Sequence, residues 1–181
     1  MNFETSSQAS PEHERPKEVL DDNARKFITE TFEPAFLQEH GAVSFTLTTD
    51  WLETGEDNEK KLAHKIFKNG DIEFLLISKV TDKDGKRTSK PKKITQEKYE
   101  ELLSSSILRV KKERSQFTYN QGGVVLSVKY DEFANSERRI LEVDAPTDAE
   151  RDSFNPIEFP YALSEVTGDI QYYGYRVAAV I

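Results

Sequence analysis

The chain has 181 residues, 32% of them charged, with a net charge of −8 and no cysteine; its mean hydropathy is −0.69. The missing cysteines exclude disulfides, thiolate metal sites and cysteine nucleophiles, and the acidic balance argues against non-specific nucleic-acid binding. No long apolar run and no secretory leader pattern occurs. We therefore expect a cytoplasmic protein without a membrane segment and with no nucleic acid among its partners.

The first third of the chain is predicted to contain a polar tail, two strands and a helix. Residues 1–17 are too poor in apolar side chains to order themselves, so we predict a disordered tail there. Arg25 to Thr31 is predicted as a strand. A short helix is expected between Pro34 and Gly41, and Val43 to Leu52 is predicted as the next strand.

The middle of the chain is predicted to form a hairpin, a loop and a helix. Lys60 to Lys68 and Ile72 to Val80 are predicted strands, and Asn69-Gly70 between them is typical of a two-residue hairpin turn. Asp82 to Lys93 is basic and is interpreted as a solvated loop rather than a site, at roughly two to one. A helix is predicted over Gln96 to Leu103.

The last third is predicted to be the most regular. Val110 to Tyr119 and Val124 to Tyr130 form a hairpin, and Arg139 to Ala145 is a further strand. Thr147 and Glu150 have the spacing of a capping box and indicate a brief helical turn. Seven strands against two or three short helices predict one mainly β (α+β) antiparallel domain, over residues 18–181.

Charged residues recur at a spacing of two on the predicted strands. Lys112 and Arg114 share one face, and so do Glu142 and Asp144, because alternate side chains of a strand point the same way. This predicts a sheet with a polar concave face and a convex face covered by helices. Such a face suits a polyphosphate together with a divalent metal. Surface ion pairs are the alternative, at about three chances in five from spacing alone.

Several motifs resemble those of one known superfamily. The segment Glu165 to Asp169 (EVTGD) resembles the closing motif of the CYTH superfamily, the triphosphate tunnel metalloenzymes. Ile140 to Asp144 resembles its L-E-x-E strand, and Val110 to Arg114 resembles its I-x-K-x-R strand. Tyr99 to Leu103 resembles the E-Y-x-x-L-L stretch of some bacterial members, and Lys79 lies where their L-T-x-K strand has its lysine.

The resemblance implies a closed or nearly closed eight-stranded antiparallel barrel, a tunnel with short helices packed outside. It implies a metal-dependent hydrolase of inorganic tripolyphosphate or a nucleoside triphosphate, using Mg²⁺ or Mn²⁺. In this reading Lys26 orients the attacking water. The implied phosphate-binding residues are Lys65, Lys79, Arg87, Lys112 and Arg114. The implied metal ligands are Asp22, Asp131, Glu142, Asp144 and Glu165.

The departures from the family pattern fall mainly on its carboxylates. Ala24 replaces the central Glu of the E-x-E-x-K signature, both acids are missing from Arg87 to Pro91, and Lys129 replaces one acid of an E-x-D pair. His64 is assigned no role. Phosphate binding is therefore better preserved than metal binding. A module that binds polyphosphate, nucleotide or a protein partner without turnover is the alternative to a hydrolase.

Overall fold

The computed structural model describes residues 24–55, 58–83, 87–134, 136–177 and 179–180. The predicted tail over residues 1–17 lies outside these ranges, as does Asp22, and the predicted domain limits stay a prediction. Among the described helices, none combines the length and apolar character needed to cross a membrane.

The elements follow one another along the chain as short helices between longer strands. The strands are β1 (Arg25–Thr29), β2 (Val43–Glu53), β3 (Asn58–Phe67), β4 (Ile72–Thr81), β5 (Arg87–Lys93), β6 (Leu108–Gln121), β7 (Val124–Phe133), β8 (Arg139–Asp144), β9 (Leu163–Glu165) and β10 (Ala179–Val180). The helices are α1 (Pro34–Glu39), α2 (Gln96–Leu103), α3 (Asp148–Asp152) and α4 (Gly174–Val177), with single 3₁₀ turns at Pro156–Glu158 and Ile170–Tyr172.

All strands belong to one antiparallel sheet. The order is β5-β4-β3-β2-β6-β7-β8-β1-β9, with β10 paired to β6 beside this path. The path has nine strands instead of the eight expected. Within the described ranges no ladder joins β5 to β9, so the expected closed barrel is not confirmed. The confirmed part of the expectation is a mainly antiparallel β fold with a few short helices.

The basic stretch from Asp82 to Lys93, predicted as a loop, contains a strand instead. β5 pairs with β4 from Thr81↔Arg87 to Leu75↔Lys93. The prediction was wrong because lysine and proline are poor strand formers in general, whereas an edge strand tolerates both. β5 is such an edge: β4 is its one neighbour in the described part of the chain, and it carries Lys90, Pro91 and Lys92.

The hairpin between β3 and β4 is confirmed, but its turn is longer than predicted. Phe67 donates its N–H to the carbonyl of Asp71 at 2.9 Å, which leaves a three-residue loop. Gly70 has φ of +90°, and no described residue other than glycine has a positive φ. A two-residue type I′ turn needs positive φ at both central positions, and Asn69 does not supply it.

The convex side of the sheet carries the largest apolar core. Leu141 and Val143, which alternate with the two acids of β8, are both 0% exposed there. They pack in one cluster with Phe27, Phe32 and Tyr130, and the ring of Phe32 stacks on Tyr130 at 4.2 Å. This confirms the predicted division of β8 between a polar and an apolar face.

Two of the predicted helix ends are confirmed by their caps. The Thr95 hydroxyl accepts the N–H of Lys98 at the start of α2. Thr147 and Glu150 form the predicted capping box at the start of α3, with both reciprocal bonds present. Gly41, with φ of +62°, follows the last turn of α1 as expected.

Candidate functional site

The concave side of the sheet encloses a cavity of about 630 Å³. All nine strands of the path contribute side chains to it, including both ends of the order, β5 through Ser89 and β9 through Glu165. The sheet must therefore curl around this space. Nine lysine and arginine residues and six carboxylates line it, so cations are in excess although the chain as a whole is acidic.

One side of the cavity, which we call the charged wall, is formed by β1, β6, β7 and β8. Its lining residues are Lys26, Lys112, Arg114, Lys129, Glu142 and Asp144. They lie on adjacent strands, since Glu142 pairs with Lys26 on one side and with Lys129 on the other. The spacing-of-two pattern in the sequence thus brings these charges together as predicted.

Asp131 is a buried carboxylate that binds two cations of the charged wall. It is 1% exposed, and it accepts two hydrogen bonds of 2.6 Å from Nε and Nη2 of Arg114. Lys112 also donates to it through Nζ. Burial opposes ionisation of Asp131, but Arg114 and Lys112 outweigh it and hold the pKa of this carboxyl below its usual value. Burial lowers the pKa of Lys112, and the neighbouring charge of Arg114 adds to this.

Glu142 is the second acid held by these cations. Its carboxylate lies 3.7 Å from Lys26 Nζ and 3.6 Å from Arg114 Nη2. Although burial favours its neutral form, the charges of Lys26 and Arg114 keep its pKa well below the usual range. Asp144 behaves differently, because burial raises its pKa. Its Oδ1 accepts the N–H of Ala145 at 2.9 Å.

Glu165 lies on β9, at one end of the strand order. Both of its oxygens accept from Arg25, at 2.9 and 2.8 Å, and this bond is the main reason its pKa is lowered. Thr167 donates to the same carboxylate at 2.7 Å and accepts the N–H of Lys26 at 2.9 Å. Two residues of the EVTGD motif therefore bind β1, Glu165 through the side chain of Arg25 and Thr167 through the N–H of Lys26.

One buried acid that lines the cavity was missed by the sequence analysis. Glu59 on β3 is 6% exposed and accepts hydrogen bonds from Trp51 Nε1 at 3.0 Å and Lys61 Nζ at 2.7 Å. Burial opposes its ionisation, but Lys61 and Lys79 overcome this and lower its pKa to about 2. Glu59 and Lys61 have the same spacing of two that identified the other pairs, so the signal was present in the sequence.

The opposite side of the cavity, which we call the apolar wall, is formed by β2, β3 and β4. The name refers to Phe45, Leu47, Ala63 and Ile77, and the same three strands also line the cavity with Lys61, Lys65 and Lys79. The four apolar residues form one cluster, in which Phe45, Leu47 and Ala63 are buried and Ile77 is partly buried. Nothing in the sequence analysis anticipated this apolar cluster in the cavity lining.

The remaining predicted residues are placed as follows. Lys65 and Lys79 line the cavity, and Lys65 Nζ lies 5.4 Å from the ring centroid of Phe45. Arg87 begins β5 opposite Thr81, and its side chain lies outside the description, as does Asp22. His64, which was assigned no role, stacks on Phe74 at 4.8 Å and also contacts Tyr99 of α2.

The described carboxylates do not fit a resident divalent metal. Mg²⁺ and Mn²⁺ need several oxygen ligands around one point. Among the described residues, no three acidic or histidine side chains come together in such a group. Asp131, Glu142 and Glu165 each have a cation as partner, at the distances given above. The predicted Mg²⁺ or Mn²⁺ stays a prediction of the resemblance.

The described strands form an antiparallel sheet curled around a basic cavity. Two solved structures are similar to this chain in fold. The crystal structure of the inorganic triphosphatase NE1496 has a TM-score of 0.58 and 22% identity, over 88% of this chain and 99% of that one. A second crystal structure, of the hypothetical protein NE1496, has a TM-score of 0.57 and 21% identity, over 87% and 98%. No protein-family model and no curated protein sequence matches the chain. These likenesses show a shared fold.

Proposed function

We propose that this protein binds the triphosphate group of a small molecule against the charged wall and hydrolyses a phosphoanhydride bond. The observation that carries the proposal is the convergence of Lys26, Lys112 and Arg114 from two strands on one cavity, in a chain of net charge −8. Concentrating cations in one place while the remaining surface is acidic favours a small polyanion over an extended one.

The chemistry asks the charged wall to do two things. Lys112 and Arg114 would bind phosphate oxygens and stabilise the charge that develops on the leaving oxygen. Lys26 would orient a water whose oxygen attacks the terminal phosphorus. The bond to the bridging oxygen then breaks, its electron pair stays with the leaving diphosphate group, and the water gives up a proton to the solvent.

The shared fold with the inorganic triphosphatase NE1496 supports this proposal, as do the motifs on β6 and β8. In the proposal, the curled sheet acts as a tunnel wall around the phosphate chain. Binding would exchange the existing ion pairs of Glu142 for bonds between its cations and phosphate oxygens.

Binding without turnover is a second candidate, and one observation favours it. Asp131, Glu142, Glu165 and Glu59 are all in ion pairs in the described structure. A site whose carboxylates are already paired with cations would still attract polyphosphate, because cations are in excess. It would coordinate a metal poorly and activate water weakly.

The test measures orthophosphate release from tripolyphosphate and from ATP, in Mg²⁺, in Mn²⁺ and in EDTA. We expect release from at least one substrate, lost in Arg114→Ala and kept in Arg109→Ala. Arg109 is the matched control, since it lies on the same strand but pairs with Asp50 outside the cavity. Binding of tripolyphosphate without release would favour the second candidate, and neither binding nor release from folded protein would overturn both.

A further inference from the structure

A buried polar network attaches α2 to the outer face of the sheet. Asp50 of β2 is 0% exposed and accepts hydrogen bonds from Tyr99 Oη of α2 at 2.8 Å and from Arg109 Nε of β6 at 2.6 Å. Among the described side chains of α2, Tyr99 is the one that hydrogen-bonds to a strand. Its bond to Asp50 is therefore the polar attachment of this helix.

His64 of β3 lies against this network. Its ring stacks on Phe74 of β4 at 4.8 Å and lies 5.7 Å from the ring of Tyr99. Its Nε2 is buried, and no described residue forms a hydrogen bond with it. On β2, His64 is paired with Thr48, two residues before Asp50, so the imidazole and the carboxylate are diagonal neighbours on one face of the sheet.

Two opposing effects set the charge of His64. Burial favours the neutral ring, and the negative charge of Asp50 favours the protonated one. Burial outweighs the carboxylate, so the pKa of His64 lies below its usual value of 6.5. Of the neighbouring elements, β4 contributes the apolar Phe74 and α2 contributes the hydroxyl-bearing ring of Tyr99. β6 contributes Arg109, whose cation is bound to Asp50.

A proton on the His64 ring changes what its nitrogens need. Both nitrogens of a protonated imidazole carry a hydrogen, so the buried Nε2 then needs an acceptor. Asp50 is the carboxylate whose charge acts on the ring. Its Oδ2 is held by the neutral hydroxyl of Tyr99, which is a weaker partner for a carboxylate than a cation is.

We propose that His64, on taking up a proton from the solvent, displaces Tyr99 as the partner of Asp50, and that α2 then loosens from the sheet. The exchange replaces a bond between a hydroxyl and a carboxylate by a bond between an imidazolium and a carboxylate. The fold thus contains a pH-sensitive contact between a helix and the sheet. The contact is separate from the proposed function, because these three side chains lie outside the cavity lining.

The contact should weaken on the acidic side of neutrality. Because the pKa of His64 is lowered where α2 is attached, the neutral ring stabilises the attached state fully above about pH 6.5. This stabilisation is lost as the pH falls through the lower pKa of the folded protein, since the loosened state binds the proton more readily.

Hydrogen exchange of the α2 backbone amides tests the proposal on the full chain, by mass spectrometry at about pH 7.5 and about pH 5, on either side of the usual histidine pKa. After correction for the intrinsic pH dependence of exchange, we expect α2 to exchange about tenfold faster at the lower pH and β7 to change less. His64→Gln, which cannot take up a proton, should remove the acceleration. His40→Gln is the matched control and should keep it, since His40 follows α1 and its Nδ1 is bonded to the carbonyl of Phe36.

Two further measurements keep the test valid if His64→Gln folds poorly. In wild type, the ring resonance of His64 and the amide resonances of α2 should titrate with one midpoint by NMR. Tyr99→Phe at about pH 7.5 should exchange from α2 as fast as wild type does at about pH 5, because the bond to Asp50 is already lost. Different midpoints, an acceleration that His64→Gln retains, or equal acceleration in α2 and β7 would each overturn the proposal.

Discussion

Arg114 holds Asp131 through two parallel hydrogen bonds of 2.6 Å, from Nε to Oδ1 and from Nη2 to Oδ2. Asp131 is buried and Arg114 is partly buried, and β6 and β7 place the two residues directly opposite each other. A planar guanidinium fixed in this way has little rotational freedom to lose when a ligand binds. The cavity therefore presents an arginine that is already oriented.

This orientation makes a charge-conserving substitution informative. We expect Arg114→Lys to weaken tripolyphosphate binding by about tenfold to a hundredfold, because lysine keeps the charge but cannot form the bidentate pair. Titration calorimetry measures the effect. Arg109→Lys, the matched change outside the cavity, should leave the affinity unchanged, and an equal loss in both variants would contradict a role for the cavity.

Removing the acid should affect stability first. We expect Asp131→Asn to reduce the free energy of unfolding by about 3 kcal/mol, because Lys112 and Arg114 would lose the buried carboxylate that both bind and keep only the more distant Glu142. Urea denaturation at neutral pH measures this. Glu132→Gln is the control: its side chain, 41% exposed, pairs with Arg139, so it should cost less than about 1 kcal/mol. Similar losses of unfolding free energy in the two variants would contradict the larger contribution expected from the buried carboxylate.

The lowered pKa of Glu59 predicts how stability depends on pH. Its pKa is about 2 when folded, against 4.5 for the unperturbed group. The unfolded state therefore binds more protons in this interval, so the stabilisation is complete above about pH 4.5 and is lost as the pH falls towards 2. Its size at neutral pH is about 3 kcal/mol.

Comparing Glu59→Gln with wild type tests this. The variant should be less stable at pH 7, and the gap should close as the pH falls through the interval, as measured by urea denaturation at each pH. Glu100→Gln, on the exposed side of α2, should show no such dependence. A gap for Glu59→Gln that is constant with pH would mean that its charge is not the source of the stabilisation.

A hydrogen-bond network outside the cavity should separate stability from binding. Asp50 is 0% exposed and accepts from Tyr99 Oη at 2.8 Å and from Arg109 Nε at 2.6 Å. We expect Tyr99→Phe to destabilise the fold by about 1–3 kcal/mol, because one bond to a buried carboxylate is lost. Thermal unfolding measures the loss, and tripolyphosphate affinity should stay as in wild type. Weakened binding would indicate that α2 influences the cavity.

The sequence was most informative where strands have one polar and one apolar face. Glu142 and Asp144 reach the cavity and Leu141 and Val143 reach the core because a period of two fixes all four directions together. The pairing of these charges could not be predicted in the same way. Which cation meets Glu142 depends on the register of β1, β7 and β8, and register is a property of the whole sheet.

The missed features depend on contacts between neighbouring strands rather than on the composition of one segment. Glu59 lies one residue before the predicted strand that begins at Lys60, and in the fold it is buried against Trp51 of the neighbouring strand, which donates a hydrogen bond to it. β5 was missed because its lysines and proline are typical of a solvated loop. As an edge strand with one neighbour in the described part of the chain, it tolerates these residues. The apolar wall requires β2, β3 and β4 to be placed side by side before it can be recognised.

The composition of β5 has a consequence for behaviour at high concentration. An exposed strand can recruit the same strand of another molecule and begin a growing aggregate. On β5, Pro91 has no N–H to donate to a strand of a second molecule. The exposed Lys90 and Lys92 would repel an identical strand approaching in register. The lysines and proline that led to the wrong loop prediction are therefore expected to protect the protein from fibril formation. We expect Pro91→Val to remove part of that protection.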